Sequence, residues 1–95
     1  MAETPEFEWD EAKAAANLKK HGADFLRAAK VFRGPVFEAV NGRSYRGERR
    51  IKAIGEAGGL HVVVVYTWRG DVRRIISAWK AGRNDREKYK KTIAG

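Results

Sequence analysis

The first pair of residues in this chain able to do chemistry is an imidazole beside an ammonium group. His21 directly follows Lys20, and the chain holds only one other histidine. An imidazole titrates near neutrality, so it can take or give a proton at physiological pH. Neighbouring cations favour its neutral, base-competent form, whereas the negative end of a helix favours the cation. Lys20 can hold a phosphate or simply complement a helix C-terminus. Arg50 and Arg74 are the best candidate phosphate clamps, because a planar guanidinium matches phosphate oxygens, and with His21 and Lys20 they make up the candidate catalytic set. They can equally pair across strands with Glu48 or Asp71. Phosphodiester cleavage through a 2′-hydroxyl needs a base, an acid and positive charge around the phosphorane. Acid–base help typically contributes about 10²–10⁴-fold, and electrostatic stabilisation is often the larger effect. This sequence is rich in cations and poor in bases. Asn17, one turn before His21, can orient the imidazole or serve as an ordinary polar helix residue.

Twenty Lys and Arg stand against 12 Asp and Glu, giving a net charge of +8 in 95 residues. Such an excess favours a polyanionic partner such as RNA, DNA or an acidic protein, although a solvated surface has the same composition. Hydrophobic residues make up 43% and charged residues 34%, a globular composition. Cysteine is absent, which excludes disulfides and thiolate metal sites. With two histidines, no zinc site, other metal site or cofactor is expected. No apolar run approaches the roughly 20 residues of a membrane span, and the acidic start MAETPEFEWD has no signal-peptide character. The expectation is one cytoplasmic domain over residues 1–95, with 1–6 as a flexible tail.

Several elements must position these side chains. Phe7–Trp9 reads as a short edge strand with both aromatics inward. Asp10 is a good N-cap for an alanine-rich helix over Glu11–His21, with contacts from Ala12, Ala15, Ala16 and Leu18 and a stop at Gly22. Asp24 opens a second helix, Phe25–Phe32, buried through Phe25, Ala28, Ala29 and Phe32. Strands are expected at Val36–Val40, Glu48–Ile54, Leu60–Trp68 and Val72–Lys80, with a basic loop over Gly42–Gly47. The run Val62–Val65 marks the central strand. Asn84 or Asp85 is expected to cap a last helix reaching Thr92. The result is an α+β fold with two N-terminal helices, a mostly antiparallel four-stranded sheet, a short N-terminal strand and a C-terminal helix. Alternation along strands puts Arg49 and Arg73 opposite Arg50 and Arg74, as surface charge.

Four ordered segments resemble the BrnT toxin family. They are Phe7-Glu8-Trp9-Asp10; Asn17-Leu18-Lys19-Lys20-His21-Gly22; Glu48-Arg49-Arg50-Ile51-Lys52-Ala53-Ile54-Gly55; and Ile75-Ile76-Ser77-Ala78 followed by Arg86 and Tyr89. The resemblance covers about residues 7–90. It implies a compact RelE-like fold and a metal-independent endoribonuclease that cleaves RNA and inhibits translation. It further implies a BrnA-like antitoxin with a ribbon-helix-helix domain, through which operator DNA is bound, and a toxin dimer within a heterotetramer as one assembly. Where the family has arginine after I-I-S-A, this chain has Trp79, and Gly82 replaces a threonine. Trp79 then becomes a candidate for base stacking, and a catalytically attenuated RNA- or antitoxin-binding module acting as an operon co-repressor is the alternative function. Lys80 lies on the opposite strand face from Trp79, so it is no direct substitute for that arginine. Lys80, Arg83, Arg86, Trp79 and Tyr89 complete the candidate RNA-binding set. Tyr89 and Asp85 have an equally simple reading as a core aromatic and a helix cap. His61 has no motif and reads as structural. The loop Arg43-Ser44-Tyr45-Arg46 mixes aromatic and basic residues and is a further possible nucleic-acid contact.

Overall fold

The computed structural model describes residues 6–45 and 48–94, with the side chains of 41–45, 48 and 94 left aside. The elements are β1 (Phe7–Glu8), α1 (Glu11–His21), α2 (Phe25–Lys30), a 3-10 turn (Val31–Arg33), β2 (Phe37–Tyr45), β3 (Glu48–Ala57), β4 (Leu60–Arg69), β5 (Val72–Lys80) and α3 (Arg83–Tyr89), which runs into a π-type turn at Lys90–Ala94. Among the described residues, three α-helices thus accompany one five-stranded mixed sheet in the order β1-β5-β4-β3-β2. β1 pairs parallel with β5, and the other pairings are antiparallel. β4 is central, and Val62 through Tyr66 are all buried, as expected for a strand covered on both faces. On one face, Phe25, Ala28 and Val31 pack against Val62, Val64, Ile75 and Ala78. On the other, Ala81 and Tyr89 pack with Ile54 and Val63.

Capping chemistry explains the helix starts. The Lys13 N–H donates to Asp10 Oδ1 at 3.0 Å, which holds the Asp10 carboxyl below its ordinary value. The Leu26 N–H donates to Asp24 Oδ1 at 2.9 Å. Gly22 ends α1 with φ 69°, a left-handed conformation that glycine adopts without a side-chain penalty.

Several expectations change. Ala12, Ala15, Ala16 and Leu18 are exposed, and α1 docks instead through Ala14 and buried Asn17. α2 ends at Lys30, and Phe32 lies in the 3-10 turn. β2 begins at Phe37 and continues through much of the expected basic loop to Tyr45. It absorbs a register shift between Asn41 and Ser44, the signature of a bulge. The Arg43–Arg46 contact surface lies outside the described side chains. Glu6 is tied to the sheet, because its carbonyl accepts the Arg73 N–H at 2.9 Å; the remainder of the expected tail, residues 1–5, lies outside the described residues. Gly82, without a side-chain cap, starts α3 in place of Asn84 or Asp85.

Gly55 does not end β3; it lies within it. A Cβ there would stand 2.7 Å from Val31 Cβ and 3.0 Å from Val36 Cγ1. Val31 is fully buried and Val36 packs against the same core, so overpacking follows. Gly55→Ala should therefore lower stability by about 1–3 kcal/mol, read as a lower urea midpoint at unchanged slope; an unchanged midpoint would show that the 3-10 turn yields freely.

Candidate functional site

The site begins with Asn17. Its Nδ2 donates to Ala78 O at 2.8 Å and to Ala23 O at 3.1 Å. Its Oδ1 accepts from Ala78 N–H at 3.3 Å and from Ser77 Oγ at 3.2 Å. β1 pairs with β5 only at Arg73 and Arg74, so farther along, the outer edge of β5 needs other partners. The Asn17 carboxamide supplies a donor and an acceptor to Ala78, much as a neighbouring strand residue would. Asn17 thus fixes the end of α1 to β5 and does not serve as a partner of the imidazole.

That docking places Lys20 and His21, at the C-terminus of α1, beside Trp79 and Lys80, at the end of β5. Three adjoining depressions share His21. A depression of about 590 Å³ is lined by Lys20, His21, Trp79 and Lys80. Another, of about 240 Å³, includes Lys13, Lys20, His21 and Ser77. A third, of about 360 Å³, runs behind His21 towards Arg27, Leu60 and Lys80. His21 and Lys20 are exposed. The imidazole lies 6.3 Å from the Trp79 ring, tilted by 48°. Trp79 also packs against the Ile54, Val63, Ala81 and Tyr89 cluster, so its indole is divided between core and site.

Arg50 and Arg74 belong to a different part of the sheet. Thr67 pairs with Arg74, and continuing the Ile51–Tyr66 register by one residue places Arg50 opposite Thr67. Both arginines therefore flank Thr67 on one sheet face. Arg74 donates to Glu8 Oε2 at 2.7 Å, so its acidic neighbour is Glu8 and not Asp71. Lys52, two residues beyond Arg50 on the same face, meets Asp85 at 3.3 Å. Sequence reasoning missed Lys52. Its i+2 spacing from Arg50 in a strand was the available signal. Arg74 stands opposite Thr67 and Trp79 opposite Val63, four residues apart along β4, roughly 13 Å at about 3.3 Å each. The candidate residues therefore form two basic clusters: Lys20, His21, Trp79 and Lys80 in one, and Arg50, Lys52 and Arg74 in the other.

The remaining candidates are scattered. Arg83 is exposed and pairs with Glu87 at 3.4 Å, a surface i,i+4 contact of small energetic weight. Arg86 is exposed on α3. Tyr89 is buried, donates to Pro35 O at 3.2 Å and meets the His61 ring edge-on at 5.2 Å. Both aromatics are thus placed in the packing of α3.

Arg73 is not simple surface charge. Its guanidinium lies 4.3 Å from the Phe32 ring centroid, 4.5 Å from Trp68, 5.3 Å from Tyr66 and 5.9 Å from Phe7. β1 and the 3-10 turn bring the two phenylalanines, and cation–π attraction holds the guanidinium among the rings. The Tyr66 hydroxyl donates to Glu38. Burial pushes the Tyr66 phenol above its ordinary value, the Glu38 hydrogen bond adds to this, and Arg73 opposes it.

Among the described residues no three His, Cys, Asp or Glu side chains converge as metal ligands, and no helix is long and apolar enough to cross a membrane. Together the fold and site define a small basic α+β protein with an accessible imidazole among cations, suited to a polyanion. A family model described as the ribonuclease toxin, BrnT, of type II toxin-antitoxin systems matches residues 9–85, well over half of the chain, and the protein belongs to that family. Membership makes it a toxin of the ribonuclease type, paired with an antitoxin. A comparison with curated proteins gave no match.

Proposed function

We propose that this protein is a cytoplasmic, metal-independent endoribonuclease with a RelE-like single domain, which cleaves RNA and stops translation until a BrnA-like antitoxin neutralises it. Operator DNA is then bound through the antitoxin, within an assembly such as a heterotetramer containing a toxin dimer. The observation that carries this reading is the accessible His21 imidazole, set between Lys20, Trp79 and Lys80 at the end of α1.

The reaction balances without an external reagent. His21 takes the proton of a 2′-hydroxyl; that oxygen attacks phosphorus, and the bond to the 5′-oxygen breaks. The proton returns to the 5′-oxygen, leaving a 2′,3′-cyclic phosphate and a 5′-hydroxyl. Lys20 and Lys80 stabilise the charge that builds on the phosphorane. Trp79, half-buried, offers the part of its indole that lines the depression to a base. Arg50 and Arg74, farther along the sheet, hold phosphates of the same strand, and Arg83 and Arg86 extend the positive surface.

The test is cleavage of a long RNA by the purified chain in EDTA, alongside growth and translation after induction with and without the antitoxin. Cleavage should persist in EDTA, and arrest should be rescued by the antitoxin. Arg50→Ala and Arg74→Ala should each raise KM by about tenfold, with little change in kcat, and reduce the salt dependence by about one phosphate contact. A folded chain that neither cleaves RNA nor arrests growth would replace this reading with the binding module that acts only as an operon co-repressor.

A further inference from the structure

The third depression beside His21 brings in Asp24, Arg27, Leu60 and Val62, which the cleavage chemistry leaves unused. It lies between the α1–α2 turn and the sheet, with a volume of about 360 Å³, lined by His21, Asp24, Arg27, Leu60, Val62 and Lys80 among others. That volume is at the small end of ligand sites, too small for a folded partner. Its chemistry is threefold. Leu60 and Val62 form an apolar wall, and Leu60 keeps 38% of its surface exposed while lining it. Arg27 and Lys80 supply positive charge, and Asp24 supplies a carboxylate acceptor. The Arg27 guanidinium lies against the β3–β4 turn, with Nη1 3.9 Å from where a Cβ on Gly58 would stand. An apolar wall, two cations and one carboxylate acceptor match the three parts of a nucleotide: base face, phosphate and base-edge N–H.

We propose that this pocket is a nucleotide-recognition subsite of the ribonuclease, a reading that rests on the cleavage function above. It takes the nucleotide next to the cut phosphate. The base lies against Leu60 and Val62, an amino or imino group of its edge donates to Asp24, and the phosphate meets Arg27 and Lys80. His21 lines both this pocket and the open depression with Lys20 and Trp79, so a nucleotide seated here presents its sugar to the imidazole.

The experiment is an NMR titration of the whole chain with the four nucleoside 3′-monophosphates and with inorganic phosphate, repeated on Leu60→Glu and Arg27→Ala. At least one nucleotide is expected to shift the amides of Ala23, Leu60 and Val62 and to bind at least tenfold tighter than phosphate. Leu60→Glu should remove that advantage, and Arg27→Ala should weaken nucleotide and phosphate alike. Equal affinity for nucleotide and phosphate, or shifts confined to Lys20 and Trp79, would overturn the subsite. RNA cleavage by a chain without such binding would likewise overturn it while leaving the nuclease standing. Nucleotide binding here by a chain that cuts no RNA would support the pocket and remove the nuclease reading instead.

Discussion

His21→Ala should reduce RNA cleavage by about 10²–10⁴-fold, the usual range for a positioned acid–base group, and abolish growth arrest on induction. The fold should survive, because the imidazole is exposed and α1 is held by Asn17 and Gly22 rather than by His21. The loss should fall on kcat, since phosphate binding by the lysines remains. Lys20→Ala provides the contrast: losing one cation should cost less in kcat and show more strongly at low salt, where its attraction for phosphate is least screened. The decisive comparison is cleavage rate against far-UV circular dichroism for the same preparations. A folded His21→Ala chain as active as the parent would remove proton transfer from this residue and shift the search to the Arg50, Lys52 and Arg74 face.

Asn17→Ala should have the largest effect on stability, about 3–4 kcal/mol. One side chain makes four hydrogen bonds, three of them to β5. Alanine would leave the Ala78 N–H and C=O without these partners in a buried setting, and each orphaned group costs about 1–3 kcal/mol. Small domains have only about 5–15 kcal/mol in total. For a domain of this size that loss corresponds to a fall in Tm of about 15–25 °C. Ser77→Ala removes only one of the four bonds and should cost about 1 kcal/mol. If Asn17→Ala melts within a few degrees of the parent, the carboxamide is not what joins α1 to the edge of β5. Because the same clamp positions Lys20 and His21 beside Lys80, activity should fall together with stability.

Local features were legible in the sequence, because they depend on neighbours along the chain. Asp10 and Asp24 cap α1 and α2, Gly22 stops α1, and the Val62–Val65 run forms the central strand. The ordered motifs were enough to point to the family. The sequence also supplied Lys20, His21, Trp79 and Lys80, which tertiary packing then gathered around shared depressions. Pairings between distant segments were decided only by the fold. Asn17 read as a polar helix residue, yet its partners lie 60 and 61 residues away on β5. Arg73 read as solvated charge, because alternation gives the face but not what covers it; Phe7 and Phe32 come from separate elements to enclose it. Gly55 read as a strand end, because its close approach to Val31 depends on where the 3-10 turn packs. The four proposed catalytic residues read as one set, since spacing along a chain carries no distance across a sheet; register placed Arg50 and Arg74 beside Thr67, most of a strand away from His21. Local propensity acts through bonds to near neighbours, whereas a site is assembled by burial and backbone satisfaction between elements, and those are settled only when the sheet and helices meet.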